Sequence, residues 1–327
     1  MLDFELDKLV RELKKRKPKK VLVQLPEGIK QNAIEISKVF ENLGIEVIFS
    51  GETCWGACSV AVQEAEALGA DLIVHFGHAE FIKINFPVFY IEVKDNLDLS
   101  KILNKSLAHI KKFKKIGLSY SIQHRHDIKN IIKFYEDNGK EVTLSRKLGK
   151  VAYEGHIVGC QYSGLKAIEK NVDVFLIIGN QFHSMGAVLS VEKPVVLLDV
   201  YNDDVRDMGN LREKIIKQRL VSIQKLKDAK TVGVIVEIKP GQQFGSPKWL
   251  MKRLKDAGKE AVLITMSELS PDKLMNFYYI DCFIELACPR IAIDDFYKYE
   301  KPIVTFKEAL YALGAKSWDE VLEMGLV

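Results

Sequence analysis

The chain contains a threefold internal repeat of strand-like segments, and this repeat is the strongest indication of its fold. The first segments of the three copies are KVLVQLPEG, KIGLSYSIQH and TVGVIVEIKPG, which begin at Lys20, Lys115 and Thr231. The third segments are ADLIVHF, VDVFLII and IDCFIEL, and the fourth segments each start beside a proline, at Pro87, Pro194 and Pro302. A repeat of about 100 residues predicts three similar folded units in place of one large core.

Helical patterns separate these segments. Residues 29–43 carry apolar side chains at a helical period, at Ile29, Ala33, Ile36, Val39 and Phe40. Gly44 follows and predicts a left-handed helix cap, and Gly139 and Gly258 occupy the same place in the later copies. Runs such as DLIVHF are apolar on both faces, as strands covered on both sides must be. The alternation predicts an α/β fold of small parallel sheets with right-handed crossovers.

We place the three predicted units at residues 1–105, 106–210 and 211–327. The chain has no low-complexity linkers, so the units are expected to pack tightly around a common centre in a pseudo-threefold arrangement. Ligands of open α/β sheets bind beyond the carboxyl ends of the strands. Three such edges facing one another therefore predict one shared central site.

Composition excludes several classes of protein. Of the 327 residues, 47% are hydrophobic and 28% are charged, which is typical of a folded chain and not of a disordered one. No apolar run approaches the ~20 residues of a membrane span. The first residues, MLDFELDKLVRELKKRK, predict an amphipathic helix and not a signal peptide, which favours the cytoplasm. The formal net charge of +4 is spread along the chain, so no direct binding to nucleic acid is expected.

The common cofactor motifs are missing from the sequence. There is no GxGxxG after the first strand, no GxxxxGK[ST], no HExxH and no CxxC. The nearest metal pattern is the segment from Cys54 to Ala61, where the CxxxCxxC motif of radical S-adenosylmethionine enzymes lacks its third cysteine. Any site must therefore be built from residues that are distant along the chain.

Three of the five cysteines occupy matching places. Cys58, Cys160 and Cys288 each follow a predicted strand, one in each unit, and the first two lead into predicted helices, whose dipoles favour thiolate. Cys282 lies within a strand and is interpreted as a structural core thiol. Cys54 shares the loop of Cys58 but has no counterpart in the other units, so it is expected to be dispensable, although a fourth ligand or a redox neighbour is an alternative.

A trio of thiolates that converges from three units suits an iron–sulfur cluster. Three protein ligands would leave one iron of a [4Fe–4S] cluster open to substrate. The competing interpretation is that each cysteine is an ordinary loop or core residue. The matched placement of Cys58, Cys160 and Cys288 favours the cluster.

At these residues the sequence resembles a known family. The segments GETCWGACSVA, VGCQYSGLKA and ACPRIAIDD, with LPEG after the first strand, are similar to the archaeal 2-(3-amino-3-carboxypropyl)histidine synthases of diphthamide biosynthesis. The resemblance spans essentially the whole chain. It implies a homodimeric, non-canonical radical S-adenosylmethionine enzyme whose [4Fe–4S] cluster is held by Cys58, Cys160 and Cys288.

The resemblance also implies a reaction and its partners. The family transfers a 3-amino-3-carboxypropyl group from S-adenosylmethionine to the imidazole carbon of one histidine in elongation factor 2. Reductive cleavage of the Cγ–S bond gives an aminocarboxypropyl radical and methylthioadenosine, so an electron donor is required. This is the first step of diphthamide biosynthesis.

Four further residues are candidates for binding S-adenosylmethionine. Pro26, Glu27 and Gly28 end the first strand, where Gly28 permits close approach and Glu27 could bind a ribose hydroxyl; a plain turn is the alternative. Arg290 could pair with the methionine carboxylate, and an interface salt bridge is its alternative. The histidines at third-strand ends, His75, His78 and His183, are interpreted as structural or supporting residues, and Lys239–Gly241 as a turn.

Two other functions fit the same pattern. A quinolinate synthase-like enzyme also joins three α/β units around a three-cysteine [4Fe–4S] cluster, but it would release no methylthioadenosine. A non-catalytic binding protein of three α/β units would be isolated colourless and free of iron, and fold alone does not exclude it.

Overall fold

The computed structural model describes residues 2–327, which form three mostly parallel sheets with helices packed against them. The predicted α/β fold of repeated parallel sheets is confirmed. In each sheet the strand that comes second along the chain lies at one edge, followed by the first, third and fourth strands. We call the three sheets, with their helices, units one, two and three.

Unit one contains the sheet β3-β2-β4-β5. Its elements are β1 (Leu2–Asp3), α1 (Leu6–Arg16), β2 (Lys20–Gln24), α2 (Ala33–Glu41), β3 (Glu46–Phe49), α3 (Val62–Leu68), β4 (Leu72–Phe76), β5 (Val88–Ile91) and β6 (Lys94–Asp95). The short β1 pairs antiparallel with β6. The predicted amphipathic helix is α1, which buries Leu9 and Leu13 against the core of this unit. The helix predicted from residue 29 begins instead as a 3₁₀ segment, Glu27–Asn32, because the tighter turn often starts a helix.

Unit two contains the sheet β8-β7-β9-β10 with one additional strand, β11, at its edge. Its elements are α4 (Ser100–His109), β7 (Lys115–Tyr120), α5 (Ile128–Asp137), β8 (Glu141–Leu144), α6 (Ser163–Lys166), β9 (Val174–Gly179), α7 (Gln181–Val188), β10 (Val195–Asp199) and β11 (Asp204–Asp207). Strand β11 pairs antiparallel with β10. Its polar sequence DVRD carries no strand pattern, so the sequence analysis missed it.

Unit three contains the sheet β13-β12-β14-β15. Its elements are α8 (Gly209–Asp228), β12 (Thr231–Glu237), α9 (Pro247–Asp256), β13 (Glu260–Met266), α10 (Pro271–Met275), β14 (Cys282–Glu285), α11 (Pro289–Asp294), β15 (Ile303–Thr305), α12 (Phe306–Ala312) and α13 (Trp318–Met324). Within residues 2–327 no helix combines the length and the apolar character that crossing a membrane requires.

One aspartate fixes the same strand pair in every unit. The Asp71 carboxylate accepts the backbone N–H groups of residues 19 and 20, at 2.8 and 3.0 Å. Asp173 and Asp281 accept the corresponding pairs, at the starts of β7 and β12. These backbone donors lower the pKa of all three carboxyls, because hydrogen bonds to the ionised form stabilise it. The third strand of each unit is thereby placed beside the first.

The predicted glycine caps are present. Gly44, Gly139 and Gly258 have φ values of 66°, 74° and 71°, in the left-handed region that glycine adopts without steric cost. Each turn joins a helix to the second strand of its unit. The same connection therefore leads into the edge strand of all three sheets.

A fully buried ion pair joins α8 to α12. Arg219 donates from Nε and Nη2 to the two carboxylate oxygens of Glu308, at 2.6 and 2.7 Å. Its Nη1 and Nη2 also donate to the carbonyl oxygens of Ala292 and Ile303, each at 2.6 Å. Glu308 completes a capping box with Thr305 at the start of α12. The pair thus fixes α8 against α12 and the segments that hold α11 and β15.

We expect Arg219→Met to lower the free energy of unfolding by about 3–5 kcal/mol, because it leaves the Glu308 carboxylate buried without its charged partner. Urea denaturation followed by circular dichroism measures the change. The double variant Arg219→Met/Glu308→Gln removes the stranded charge and keeps the capping box, so it is expected to be more stable than the single variant. A single variant as stable as the double one would contradict the assignment.

Candidate metal centre

The three predicted cysteine ligands line one cavity. Its volume is about 510 Å³, and Cys58, Cys160 and Cys288 all contribute to its wall. The cavity lies beyond the carboxyl ends of the strands, where the residues that follow β4, β9, β12 and β14 meet. Burial is the main cause that raises the pKa of Cys288, and the Cys160 thiol, Glu285 and the Cys58 thiol add to the effect. The sequence-predicted trio is therefore brought together.

Residues of unit three hold Cys58. The Gly241 N–H donates to the Cys58 carbonyl oxygen at 2.8 Å, and the Gln242 amide nitrogen donates to Cys58 Sγ at 3.5 Å. On the other side, Gln24 of β2 donates from Nε2 to the Ser59 carbonyl at 2.8 Å. The loop that carries Cys58 is consequently clamped between its own sheet and unit three.

The other two cysteines are fixed at the junction of units two and three. Arg290 Nη1 donates to the carbonyl oxygen of Gly159, the residue before Cys160, at 3.0 Å. Cys288 is the N-cap residue of α11, and Glu285 accepts the N–H of Ala287 at 2.9 Å just before it. Each cysteine thus depends on a neighbouring segment for its position.

The predicted effect of helix dipoles on the thiols is wrong. Cys58 and Cys160 precede α3 and α6 by a few residues and do not cap them. Burial raises the pKa of Cys160 to about 12 and also raises the pKa of Cys58 and Cys288. Desolvation of the charged form therefore dominates, and a metal must displace the three protons when it binds.

The donor set fits an iron–sulfur cluster. Three soft sulfur ligands, each partly buried, converge at the wall of one cavity. The hydrogen bond from Gln242 to Cys58 is an N–H···S contact of the type that stabilises a thiolate ligand. Gln242 Oε1 is buried and has no hydrogen-bond partner among the described residues.

Each junction between two units carries one aromatic ring beneath one cation. All six side chains line the cavity, with ring-to-cation distances of 5.9, 5.1 and 3.9 Å for the pairs Trp55–Lys239, Phe81–Lys150 and Phe182–Arg290. Cation–π contacts of this kind favour close packing of the paired elements. They close the cavity wall between the units.

The candidate S-adenosylmethionine residues separate into two groups. Pro26, Glu27 and Gly28 lie outside the cavity wall, and Glu27 forms an exposed ion pair with Lys30 at 3.0 Å. Arg290 lies in the wall and is buried. Its Nε and Nη2 donate to Asp294 at 2.5 and 2.7 Å, so a bidentate contact with a substrate carboxylate would require Asp294 to move.

The surroundings of Cys54 differ from those of the trio. It is buried, it is not part of the cavity wall, and its Sγ lies within 4.8 Å of ring nitrogens of His75 and His78. Cys282 is fully buried in the core of unit three, as its interpretation as a structural thiol requires.

Sequence analysis missed several residues of the cavity. His156 and Gln242 line it, and so does Glu237 at the end of β12. Burial is the main cause that lowers the pKa of His156 to about 4 and that of His183 to about 3, which keeps both rings neutral. In the sequence, only the position of His156, four residues before Cys160, could have indicated that it belongs to the site.

Comparison with known proteins agrees with this geometry. The family model described as "putative diphthamide synthesis protein" matches residues 25–323. The chain belongs to the diphthamide synthesis family. The resemblance inferred from the cysteine motifs is thereby confirmed.

Members of the diphthamide synthesis family that resemble this chain carry a common name. The 2-(3-amino-3-carboxypropyl)histidine synthase of Pyrococcus horikoshii is 33% identical over 96% of this chain and 92% of its own length. The Methanocaldococcus jannaschii synthase is 32% identical over 94% of this chain and 89% of its own length. Subunit 1 of the Schizosaccharomyces pombe synthase is 30% identical over 98% of this chain and 76% of its own length. These relatives confirm the predicted enzyme class.

Solved structures extend the agreement to three dimensions. The crystal structure of Dph2 from Pyrococcus horikoshii superimposes with a TM-score of 0.89 at 33% identity, covering 97% of this chain and 93% of that one. The same protein with a 4Fe-4S cluster also superimposes with a TM-score of 0.89, at 32% identity and with the same coverage. Membership of the diphthamide synthesis family favours the synthase over both alternatives, a quinolinate synthase-like enzyme and a non-catalytic binding protein.

Proposed function

We propose that this protein transfers the 3-amino-3-carboxypropyl group of S-adenosylmethionine to an imidazole ring carbon of one histidine in elongation factor 2. The observation that carries the proposal is that Cys58, Cys160 and Cys288, one from each unit, line one cavity in a member of the diphthamide synthesis family. The homodimer and the external electron donor remain predictions within this proposal.

Within this proposal Cys58, Cys160 and Cys288 hold a [4Fe–4S] cluster. The chemistry that such a cluster supplies when bound is one-electron reduction of the sulfonium, which yields methylthioadenosine and an aminocarboxypropyl radical. A cluster-containing structure of a relative, Dph2 from Pyrococcus horikoshii, supports the choice of cofactor. The chain itself contributes the position of the substrate and the exclusion of water.

The cavity wall is suited to that task. Its aromatic rings, Trp55, Phe81 and Phe182, provide apolar surface around the thiols. The rings of His156 and His183 are held neutral by burial, so they offer hydrogen bonds without adding charge. Bound substrate displaces water from such a site, which protects a reactive carbon intermediate. Arg290 remains a proposed contact of the methionine carboxylate, through exchange with Asp294.

The test is product analysis under anaerobic conditions. The protein is reconstituted with iron and sulfide, reduced with dithionite, and incubated with S-adenosylmethionine and elongation factor 2. We expect methylthioadenosine in solution and a mass increase of one aminocarboxypropyl group on a single histidine of the factor. Formation of 5′-deoxyadenosine in place of methylthioadenosine would contradict the proposed bond cleavage.

A further inference from the structure

A buried chain of hydrogen bonds connects the sheet of unit one to the cavity. Gln24 Oε1 lies 2.9 Å from His75 Nδ1, and His75 Nε2 lies 3.0 Å from His78 Nδ1. Gln24 and His75 are buried within β2 and β4, whereas His78 lines the cavity. None of these three residues belongs to the cysteine trio, and the function described above gives His75 and His78 no role.

The backbone fixes which atoms donate in this chain. Gln24 Nε2 donates to the Ser59 carbonyl at 2.8 Å, and Gln24 Oε1 accepts the Ala61 N–H at 3.1 Å. A flipped amide would place donor against donor and acceptor against acceptor, so Oε1 must also be the acceptor toward the His75 ring. His75 is therefore protonated on Nδ1, and its Nε2 carries a lone pair.

The same logic determines the state of His78. Since His75 Nε2 can only accept, His78 Nδ1 carries the proton of their hydrogen bond. The neutral His78 ring then has its lone pair on Nε2. The side chains of His78 and Cys58 both lie next to Gly56. A Cβ added to Gly56 would lie 3.7 Å from His78 Nε2 and 3.7 Å from Cys58 Sγ. The lone pair on His78 Nε2 therefore lies on the Cys58 side of the cavity.

The proposed reaction needs an acceptor for one proton. Transfer of an alkyl group from a sulfonium to an imidazole carbon breaks a C–S bond, forms a C–C bond and breaks the ring C–H bond. Methylthioadenosine takes one electron of the C–S bond and one electron from the donor, and the ring adduct gives one electron back when it loses its proton. The overall change therefore consumes no net oxidant or reductant and releases one proton. Loss of that proton restores the aromatic ring, which favours transfer even to a weak base.

Resting on the proposed function, we propose that His78 Nε2 is the catalytic base that accepts the proton from the target imidazole carbon. His75 and Gln24 are positioning residues, because their hydrogen bonds fix the tautomer and the orientation of the His78 ring. After transfer the His78 ring is positively charged and still donates from Nδ1 to His75. The hydrogen bonds from Gln24 to His78 therefore stay intact while His78 carries the proton.

The other cavity histidines are less suited to this role. His156 Nδ1 is buried without a hydrogen-bond partner among the described residues, so nothing fixes its tautomer. His183 is held by Asn180, whose Oδ1 lies 3.0 Å from His183 Nδ1. Burial lowers the pKa of both rings, to about 3 for His183 and about 4 for His78, and the positive charge of Arg290 adds to the effect at His183. His78 combines a fixed ring with no such neighbouring cation.

The experiment compares cleavage of S-adenosylmethionine with transfer to the factor. The methylthioadenosine that reconstituted His78→Gln forms is measured in the same assay, so that any change in cleavage of S-adenosylmethionine is divided out. With elongation factor 2 present, the ratio of modified factor to methylthioadenosine should fall about 10²-fold, the usual contribution of a general base. The exposed His109→Gln, at the end of α4, is the matched control and should keep the wild-type ratio.

A second measurement does not depend on activity. Long-range ¹H–¹⁵N spectra of the protein without cofactor report which nitrogen of each histidine is protonated, and the signal missing in His78→Gln identifies His78. We expect a proton on Nδ1 and none on Nε2. A proton on Nε2, an unchanged transfer ratio in His78→Gln, or the same loss in His183→Gln instead would overturn the proposal. If the wild-type enzyme formed no methylthioadenosine, the proposed function would be contradicted, and so would the role of His78 that rests on it.

Discussion

Substitution of Cys58, Cys160 or Cys288 by serine, one at a time, is expected to abolish both iron binding and transfer. Each residue is the sole cysteine that its unit contributes to the cavity wall. A hydroxyl group is a hard ligand that replaces thiolate poorly at iron–sulfur centres, so the loss should be close to complete. Iron and sulfide content after anaerobic reconstitution measures the first effect, and methylthioadenosine formation measures the second.

The matched control is Cys282→Ala. Cys282 is fully buried in β14, so its loss removes a small volume from the core of unit three and is expected to cost some stability but no iron. If Cys282→Ala lost iron as completely as the trio variants, the effect would reflect general unfolding. Full iron content in any one of the three serine variants would contradict the ligand assignment.

The fold was predictable because its signals are local and repeated. Strand runs that are apolar on both faces, and a glycine after each helix at Gly44, Gly139 and Gly258, indicate the same unit three times. The matching aspartates, Asp71 and its counterparts, add a further local signal. Strand β11 was not predictable, because an edge strand held by main-chain hydrogen bonds needs no particular side-chain pattern.

The site was predictable only where chemistry repeats along the chain. One cysteine per unit at a strand end identified the cavity. The residues that hold those cysteines were not found, because Gln242, Gly241 and Gln24 act through contacts between units or between strands. The thiol pKa values were misjudged for the same reason, since a helix N-terminus can be seen in a sequence whereas burial by another unit cannot.

Gly241 illustrates how one unit controls a ligand of another. It lies in the segment that follows β12, which the sequence analysis interpreted as a turn. Its N–H donates to the carbonyl oxygen of Cys58 at 2.8 Å. A Cβ on this residue would lie 2.6 Å from Cys58 Cα and 2.8 Å from both Cys58 Cβ and the carbonyl oxygen. The glycine is therefore required because two backbones touch, and unit three cannot dock in place if a side chain is present.

We expect Gly241→Val to lose most of its bound iron and its activity, because the clash is with backbone atoms and can be relieved only by moving the Cys58 loop away from Cys160 and Cys288. The matched control is Gly51→Ala in the segment that leads to Cys58, where an added Cβ would meet nothing within 4 Å. Iron content per folded protein, with folding checked by circular dichroism, is the measurement. Gly241 offers no ligand atom of its own, so iron loss in this variant would show that the position of Cys58, and not only its thiol, is needed to bind iron. Full iron content would contradict the prediction, because it would mean that the three units need not dock to build the site.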